Sequence, residues 1–351
     1  MTGNYLLAIV SDYGAQNPNI PVNPIFPQNV PRYWNYAIGV DLPRLIKVTG
    51  ECVPAGGPCS ADITLYDTHA SDLVLATHYP WFPWSSAHIR GTFTVDRDYI
   101  FEYATITMAE DAKILVKERK TLNLYETIIE ACRDKLWDKI EVDGGTFIAE
   151  RCTIKDAKLA IDIHSGYSGD SPPKLELRGT MLDHNKRHIK ISNVLNVNPT
   201  SDFIVRQCTL SCLFPLMPPH LGEYTLCGIE ISNPSPLVND AYTSMYARSF
   251  EISDNYFSDM QYGIWTKYAG LRAFGNVFEN LRGDANEARR FEGATYVPGA
   301  AFFTQYYELT VGRPGAGNRF HNCKAGVVLP DAPSVSGLQS YHAANIRIES
   351  N

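Results

Sequence analysis

At 351 residues the chain could hold two ordinary domains or one elongated array, and its 44% hydrophobic content is enough for a substantial core. A formal net charge of -7, with Lys and Arg scattered rather than clustered, argues against nucleic acid and anionic membrane as partners. Tyr 20, Phe 15, Pro 22 and Gly 25 beside only 20% charged residues suit an all-β chain with many turns, and no apolar run reaches the roughly 18 residues that argue for membrane insertion.

Residues 1–95 do not repeat. Pro18, Pro21, Pro24, Pro27 and Pro31, with Trp34, Tyr36, Trp81 and Trp84, predict an irregular arm followed by short strands such as Asp62 to Tyr66 and Leu73 to Ala76. This segment is expected to include a β cap, because a stack of strands needs its open end covered. Cys52 and Cys59 enclose a turn-rich Val-Pro-Ala-Gly-Gly-Pro loop and are predicted to form a disulfide; Cys212 and Cys227 are a second candidate pair. A bonded pair implies an oxidising, extracellular or cell-surface location. The run Leu6 to Val10 lacks the basic flank and length of a secretory signal, so export would need a signal removed or lying outside this chain. No Cys-x-x-Cys or paired His spacing is present, and no metal or other cofactor is expected.

Residues 96–351 repeat. Leu122-x-Leu124-x-x-Thr127-x-Ile129 returns as Phe147-x-Ala149-x-x-Cys152-x-Ile154, Leu175-x-Leu177-x-x-Thr180-x-Leu182 and Phe203-x-Val205-x-x-Cys208-x-Leu210. It continues in Phe250-x-Ile252-x-x-Asn255-x-Phe257 and Leu271-x-Ala273-x-x-Asn276-x-Phe278, and Leu309-x-Val311 with Asn318-x-Phe320 is a weaker copy. A second apolar stretch follows each copy, as in Ile140-x-Val142, Ile161-x-Ile163, Ile189-x-Ile191, Ile229-x-Ile231 and Ile264-x-Thr266. Each repeat therefore supplies at least two short strands of period two, and one repeat alone cannot bury its apolar side. The uneven intervals predict loops inserted near 211–227, 232–248 and 281–299. The last copy, Ile346-x-Ile348-x-x-Asn351, stops before its final apolar residue, which predicts an unfinished coil that continues or meets a partner end to end.

This pattern predicts an all-β, right-handed parallel β-helix, and the chain resembles the pectate-lyase-like superfamily of that fold. The resemblance is nearest to repeats of large bacterial secreted and cell-surface proteins, through Trp137-Asp138-Lys139-Ile140-Glu141-Val142-Asp143-Gly144-Gly145 and Cys152-Thr153-Ile154-Lys155-Asp156-Ala157, and it covers roughly residues 100–351. It implies a fold rather than an activity.

Stacking assigns roles to individual positions. Asn255 and Asn276 are predicted to sit at an inward corner where stacked amides bond the backbone and each other, with Cys152 and Cys208 as small buried substitutes. The outward residue of the second strand gives a column: Glu141, Asp162, Lys190, Glu230, Trp265, Val328. Acids beside a base on one exposed face are the groups that hydrolysis or lyase chemistry needs, and an alternating charge ladder on a solvated face needs the same ones. The run Asp183-His184-Asn185-Lys186-Arg187-His188 reads as a charged surface turn, and His164 sits at a strand end. Trp265 and Tyr262 are the candidate ligand contacts, since exposed rings stack on sugar faces and anchor interfaces; loop packing would use the same rings.

The expected function is a non-catalytic module of a secreted or cell-surface protein, binding a polysaccharide or protein partner or acting as a rigid spacer. The alternatives are a polysaccharide lyase or glycoside hydrolase using Glu141, Asp162, Lys190 and Glu230, and a structural subunit that stacks end to end. Neither the Asn-Thr-Asp, Gly-Asp-Asp and Gly-His-Gly set that marks polygalacturonases nor the calcium-binding carboxylate cluster of pectate lyases is present.

Overall fold

The computed structural model describes residues 59, 61–73, 82, 84–165, 172–194, 202–233, 249–283, 289–291, 294–296, 299–305, 309–328 and 346–348. These residues build a parallel β-helix. Three parallel sheets of ten, nine and nine strands run along it, and from Ser86–Arg90 onward successive strands of the coil fall into the first, second and third sheet in turn. The first sheet runs from Ile63–Tyr66 to Arg319–His321, the second from Thr92–Val95 to Ala325–Val328, and the third from Tyr99–Glu102 to Ile346–Ile348. Each coil thus has three strands, one more than the two apolar stretches made evident. The first half of the repeated motif hides a corner: Leu122 and Leu124 lie in the third sheet, and Ile129 already belongs to the first.

That corner explains the motif. A residue with positive φ precedes each corner position: Glu126 before Thr127, Arg151 before Cys152, Gly179 before Thr180, Gln207 before Cys208, Asp254 before Asn255 and Gly275 before Asn276. The left-handed residue turns the chain, and the following small side chain caps the bend from inside. The Thr127 hydroxyl donates to the Phe101 carbonyl at 3.0 Å. Further along, Asn255 Nδ2 donates to the Val205 carbonyl at 2.9 Å and to Asn276 Oδ1 at 3.2 Å. Asn276 Nδ2 bonds Ile252 O at 2.8 Å and Asn318 Oδ1 at 3.0 Å, so three amides form a continuous ladder.

Inward side chains fill the coil to the axis. Phe257, Phe278 and Phe320 occupy one register position of the first sheet and stack with centroids 4.7 and 5.6 Å apart. A ring in that stack leaves no room opposite, which is why Gly263 faces Phe278: a Cβ there would lie 2.5 Å from the ring and 2.7 Å from Ala301 O.

The parallel ladder reaches back to Ile63, inside the stretch that reads as arm and cap. Leu73, expected to open a strand, instead ends a helical turn, Ala70–Leu73, which buries Ala70 and Leu73 against the first coil. The insertion after Ser211 is anchored by fully buried Leu216 and by the Leu136 amide donating to Pro218 O at 3.0 Å. Of the other two insertions, residues 234–248 lie outside the described residues, and the third contains an antiparallel pair, Arg289–Phe291 with Ala294–Tyr296. Asn351 also lies outside them.

The cysteine expectations are corrected. Cys59 is bonded to Cys132, 73 residues away, with Cα atoms 5.0 Å apart, and not to Cys52, which lies outside the described residues. Stacking coils brings distant positions together, which loop spacing cannot reveal. Cys212 and Cys227 are buried free thiols, as are Cys152 and Cys208.

Candidate functional site

The outer face of the second sheet carries the column. Its strands Trp137–Asp143, Ala157–His164, Arg187–Ser192, Thr225–Ser232 and Met260–Lys267 pair in parallel, so that Glu141, Asp162, Lys190, Glu230 and Trp265 are consecutive cross-strand neighbours. Phe303 follows Trp265, and Val328 follows Phe303. Phe303 carries little sequence signal because its strand, Ala300–Gln305, follows an irregular insertion; the alternation Ala300-x-Phe302-x-Thr304 is the one clue to it.

The first half of the column is a charge network closed on itself. Glu141 is its hub: Lys113 lies at 3.1 Å, Lys139 at 3.7 Å and His164 Nε2 at 3.4 Å. Lys139 also reaches Asp162 at 2.8 Å, and His164 Nδ1 lies 3.3 Å from Asp143. Glu230 is met by Arg187 at 3.0 Å, an ion pair without hydrogen-bond alignment. These groups are half-buried, so each charge needs an opposite one close by. The contact with His164, followed by Lys113 and Lys139, outweighs the cost of burial and holds the Glu141 carboxyl at about 2. The same contact raises His164 above the ordinary histidine range against its own desolvation. Burial opposes the charge on Lys139, yet Asp162 and Glu141 raise its affinity for a proton. Among the described residues Lys190 makes no ion pair, although it sits between Asp162 and Glu230.

The second half is apolar and covered. Cys227 and Tyr262 are neighbours in one register position, Trp265 and Phe303 in the other, and together with Leu226 and Ala300 they form a buried cluster separate from the main core. Tyr262 is 3% exposed and Trp265 8%, with ring centroids 5.5 Å apart. The rings proposed as ligand contacts therefore lie within a packed cluster.

The run around His184 is not a surface turn. Asn185 and His188 are fully buried. Asn185 Nδ2 donates to the Ile154 carbonyl at 3.0 Å and faces His188 Nδ1 at 3.0 Å, and desolvation pushes His188 down to about 3. His184 is held between Asp156 at 3.0 Å and Pro215 O at 2.8 Å, and Lys186 pairs with Glu223. The inserted loop supplies Pro215 and Glu223, partners that no reading of the turn alone could provide.

The arrangement restricts the chemistry. A glycosidase general acid must keep its proton near the working pH, and Glu141 is held far below that range. A lysine base must lose its proton easily, and Lys139 is shifted the opposite way. Of the residues that decide this, His164 reads in the sequence only as a strand end and Arg187 only as part of a charged turn, and Lys113 and Lys139 carry no expected role. Lys139 and Arg187 were detectable as cations two and three positions before Glu141 and Lys190, but a bulge between Leu159 and Ile161 shifts the register beside Lys139.

The fold and this face define a parallel β-helix with a charge-compensated outer sheet. No known protein family and no curated protein matches the chain.

Proposed function

We propose that the chain is a non-catalytic β-helix module of a secreted or cell-surface protein, a rigid coil that binds a polysaccharide or protein partner or spaces other parts of a larger assembly. One observation carries this reading: the carboxylates of the outward column are neutralised from within, Glu141 by Lys113, Lys139 and His164, Asp162 by Lys139, and Glu230 by Arg187. Such a network stabilises the sheet and holds the Glu141 carboxyl well below the range of a proton donor. The Cys59–Cys132 bond supports an oxidising compartment. The repeats support kinship with pectate-lyase-like β-helices, a scaffold that carries adhesion and carbohydrate binding as well as catalysis.

The test is incubation with a panel of acidic and neutral polysaccharides, following reducing ends and the absorbance of unsaturated products. The expected result is silence across the panel. Product formation that Glu141→Gln or Asp162→Asn abolishes would overturn the reading. The second reading, a polysaccharide lyase, is favoured by Lys190 alone, a cation between two carboxylates that are both engaged elsewhere. It requires products that disappear in Lys190→Met.

A further inference from the structure

Among the described residues, one cluster of metal-ligating side chains stands apart from the second sheet. Cys59, His88 and Cys132 are all buried, and a ligand atom from each lies within 4.8 Å of the other two. They come from three coils: Cys59 precedes the first strand, His88 lies on Ser86–Arg90, and Cys132 directly follows Ile128–Ala131. We propose that this cluster is a metal site of the reduced chain, the alternative to the disulfide that an oxidising compartment favours: once the Cys59–Cys132 bond is reduced it takes a thiophilic divalent cation of the zinc class.

Three features of the chemistry support it. First, the donor set is soft: two thiolates and one imidazole select zinc-class ions over calcium or magnesium, which demand oxygen ligands. Second, the imidazole is set for the task. His88 Nδ1 lies 3.2 Å from the Thr107 carbonyl, which can only accept, so Nδ1 carries the proton and Nε2 the lone pair. Thr107 Oγ1, 3.1 Å from the same nitrogen, directs its own proton to the Ala87 carbonyl at 3.3 Å and so accepts from the ring as well. A histidine whose other nitrogen donates to a backbone carbonyl is the usual outer support of a metal ligand. Third, charge balances. Two thiolates, a neutral imidazole and a divalent cation sum to zero, the only total that burial tolerates cheaply.

The steps balance. A phosphine reductant and water convert the disulfide to two thiols and a phosphine oxide. The cation then displaces both thiol protons, forming two metal–sulfur bonds and one metal–nitrogen bond, with water at the fourth position. Thiolates at about 2.3 Å from a tetrahedral ion lie roughly 3.8 Å apart. The 5.0 Å Cα separation of the pair accommodates this by side-chain rotation.

The experiment uses the full chain, reduced with a phosphine and titrated with Co2+ as the spectroscopic probe and then with Zn2+. The expected result is one tightly held equivalent, with a thiolate-to-cobalt charge-transfer band and an intense four-coordinate visible spectrum that Zn2+ bleaches. Cys132→Ser should abolish the charge-transfer band, and His88→Gln should keep both thiols while changing the visible spectrum and weakening binding at least tenfold. Equal uptake by unreduced protein, an unchanged spectrum in His88→Gln, or no uptake by reduced protein would each overturn the proposal. Should reduction loosen the fold, Zn2+ must raise the melting temperature of the reduced wild type and not that of reduced His88→Gln; equal shifts would overturn it too.

Discussion

The two halves of one column solve the same problem in opposite ways. Around Glu141 and Asp162 the outward face of the second sheet is charged and half-buried, and each acid is held by cations from neighbouring strands. Around Tyr262, Trp265 and Phe303, only a few coils on, the same outward positions are aromatic and buried. A parallel sheet with both faces covered reads as continuous hydrophobic sequence, and one with a wet face alternates. Here a single sheet passes from the second regime to the first along its length. The lesson is that an outward register position does not mean an exposed side chain: what lies over the strand decides.

The largest expected effect breaks the apolar half. Phe303→Ala should destabilise the protein by about 3–5 kcal/mol, because it removes a 2% exposed ring that packs on both Trp265 and Tyr262. Denaturant unfolding measures it, and a loss below about 1 kcal/mol would show that this face is only loosely covered. Next is the hub of the charged half. Glu141→Gln leaves Lys113, Lys139 and His164 facing one another without their shared anion and should cost about 1–3 kcal/mol.

The hub also sets a pH signature. Glu141 titrates at about 2 when folded, so its stabilisation is complete above the unfolded carboxyl range near 4.5 and is lost as pH falls from there toward 2. His164 is raised, so its contribution is complete below the ordinary histidine pKa and fades as pH rises through its folded value. Stability measured against pH should therefore fall on both sides of a mildly acidic plateau, by roughly 1–2 kcal/mol in total once solvent screening is allowed for. Glu141→Gln should flatten both limbs, whereas Phe303→Ala should lower the whole curve without changing its shape.

The coil was legible because period-two alternation and a small corner residue recur from turn to turn: Thr127, Thr180 and Asn276 mark bends that a small polar side chain caps from inside. The coil just before Thr127 escaped because Ala104 stands at that corner, between Tyr99-x-Phe101 and Ile106, and alanine carries no signal. The column was legible for the same reason, since a register of two residues fixes which side chains align. Its environment was not. Which cation reaches which acid depends on a bulge and on rotamers, and the burial of Trp265 among Tyr262, Phe303 and their neighbours is not written in the alternation. Long-range partners such as Cys59 and Cys132 were invisible because their proximity follows from counting coils, not residues.

The smallest expected effect lies at Lys190, where the two regimes meet. Its cross-strand neighbours are Asp162, already held by Lys139 at 2.8 Å, and Glu230, already met by Arg187 at 3.0 Å. Lys190→Met therefore leaves both carboxylates compensated and should change stability by no more than about 0.5 kcal/mol in unfolding experiments. A structural charge ladder would behave differently: if Lys190 were the cation that relieves Asp162 and Glu230, its loss would cost as much as the loss of Glu141. The comparison of these two substitutions separates a cation that holds the sheet together from one that the sheet presents. A near-zero cost at Lys190 beside a measurable cost at Glu141 leaves Lys190 as a cation of the column available to an anionic partner, and the polysaccharide panel then has a defined residue to interrogate.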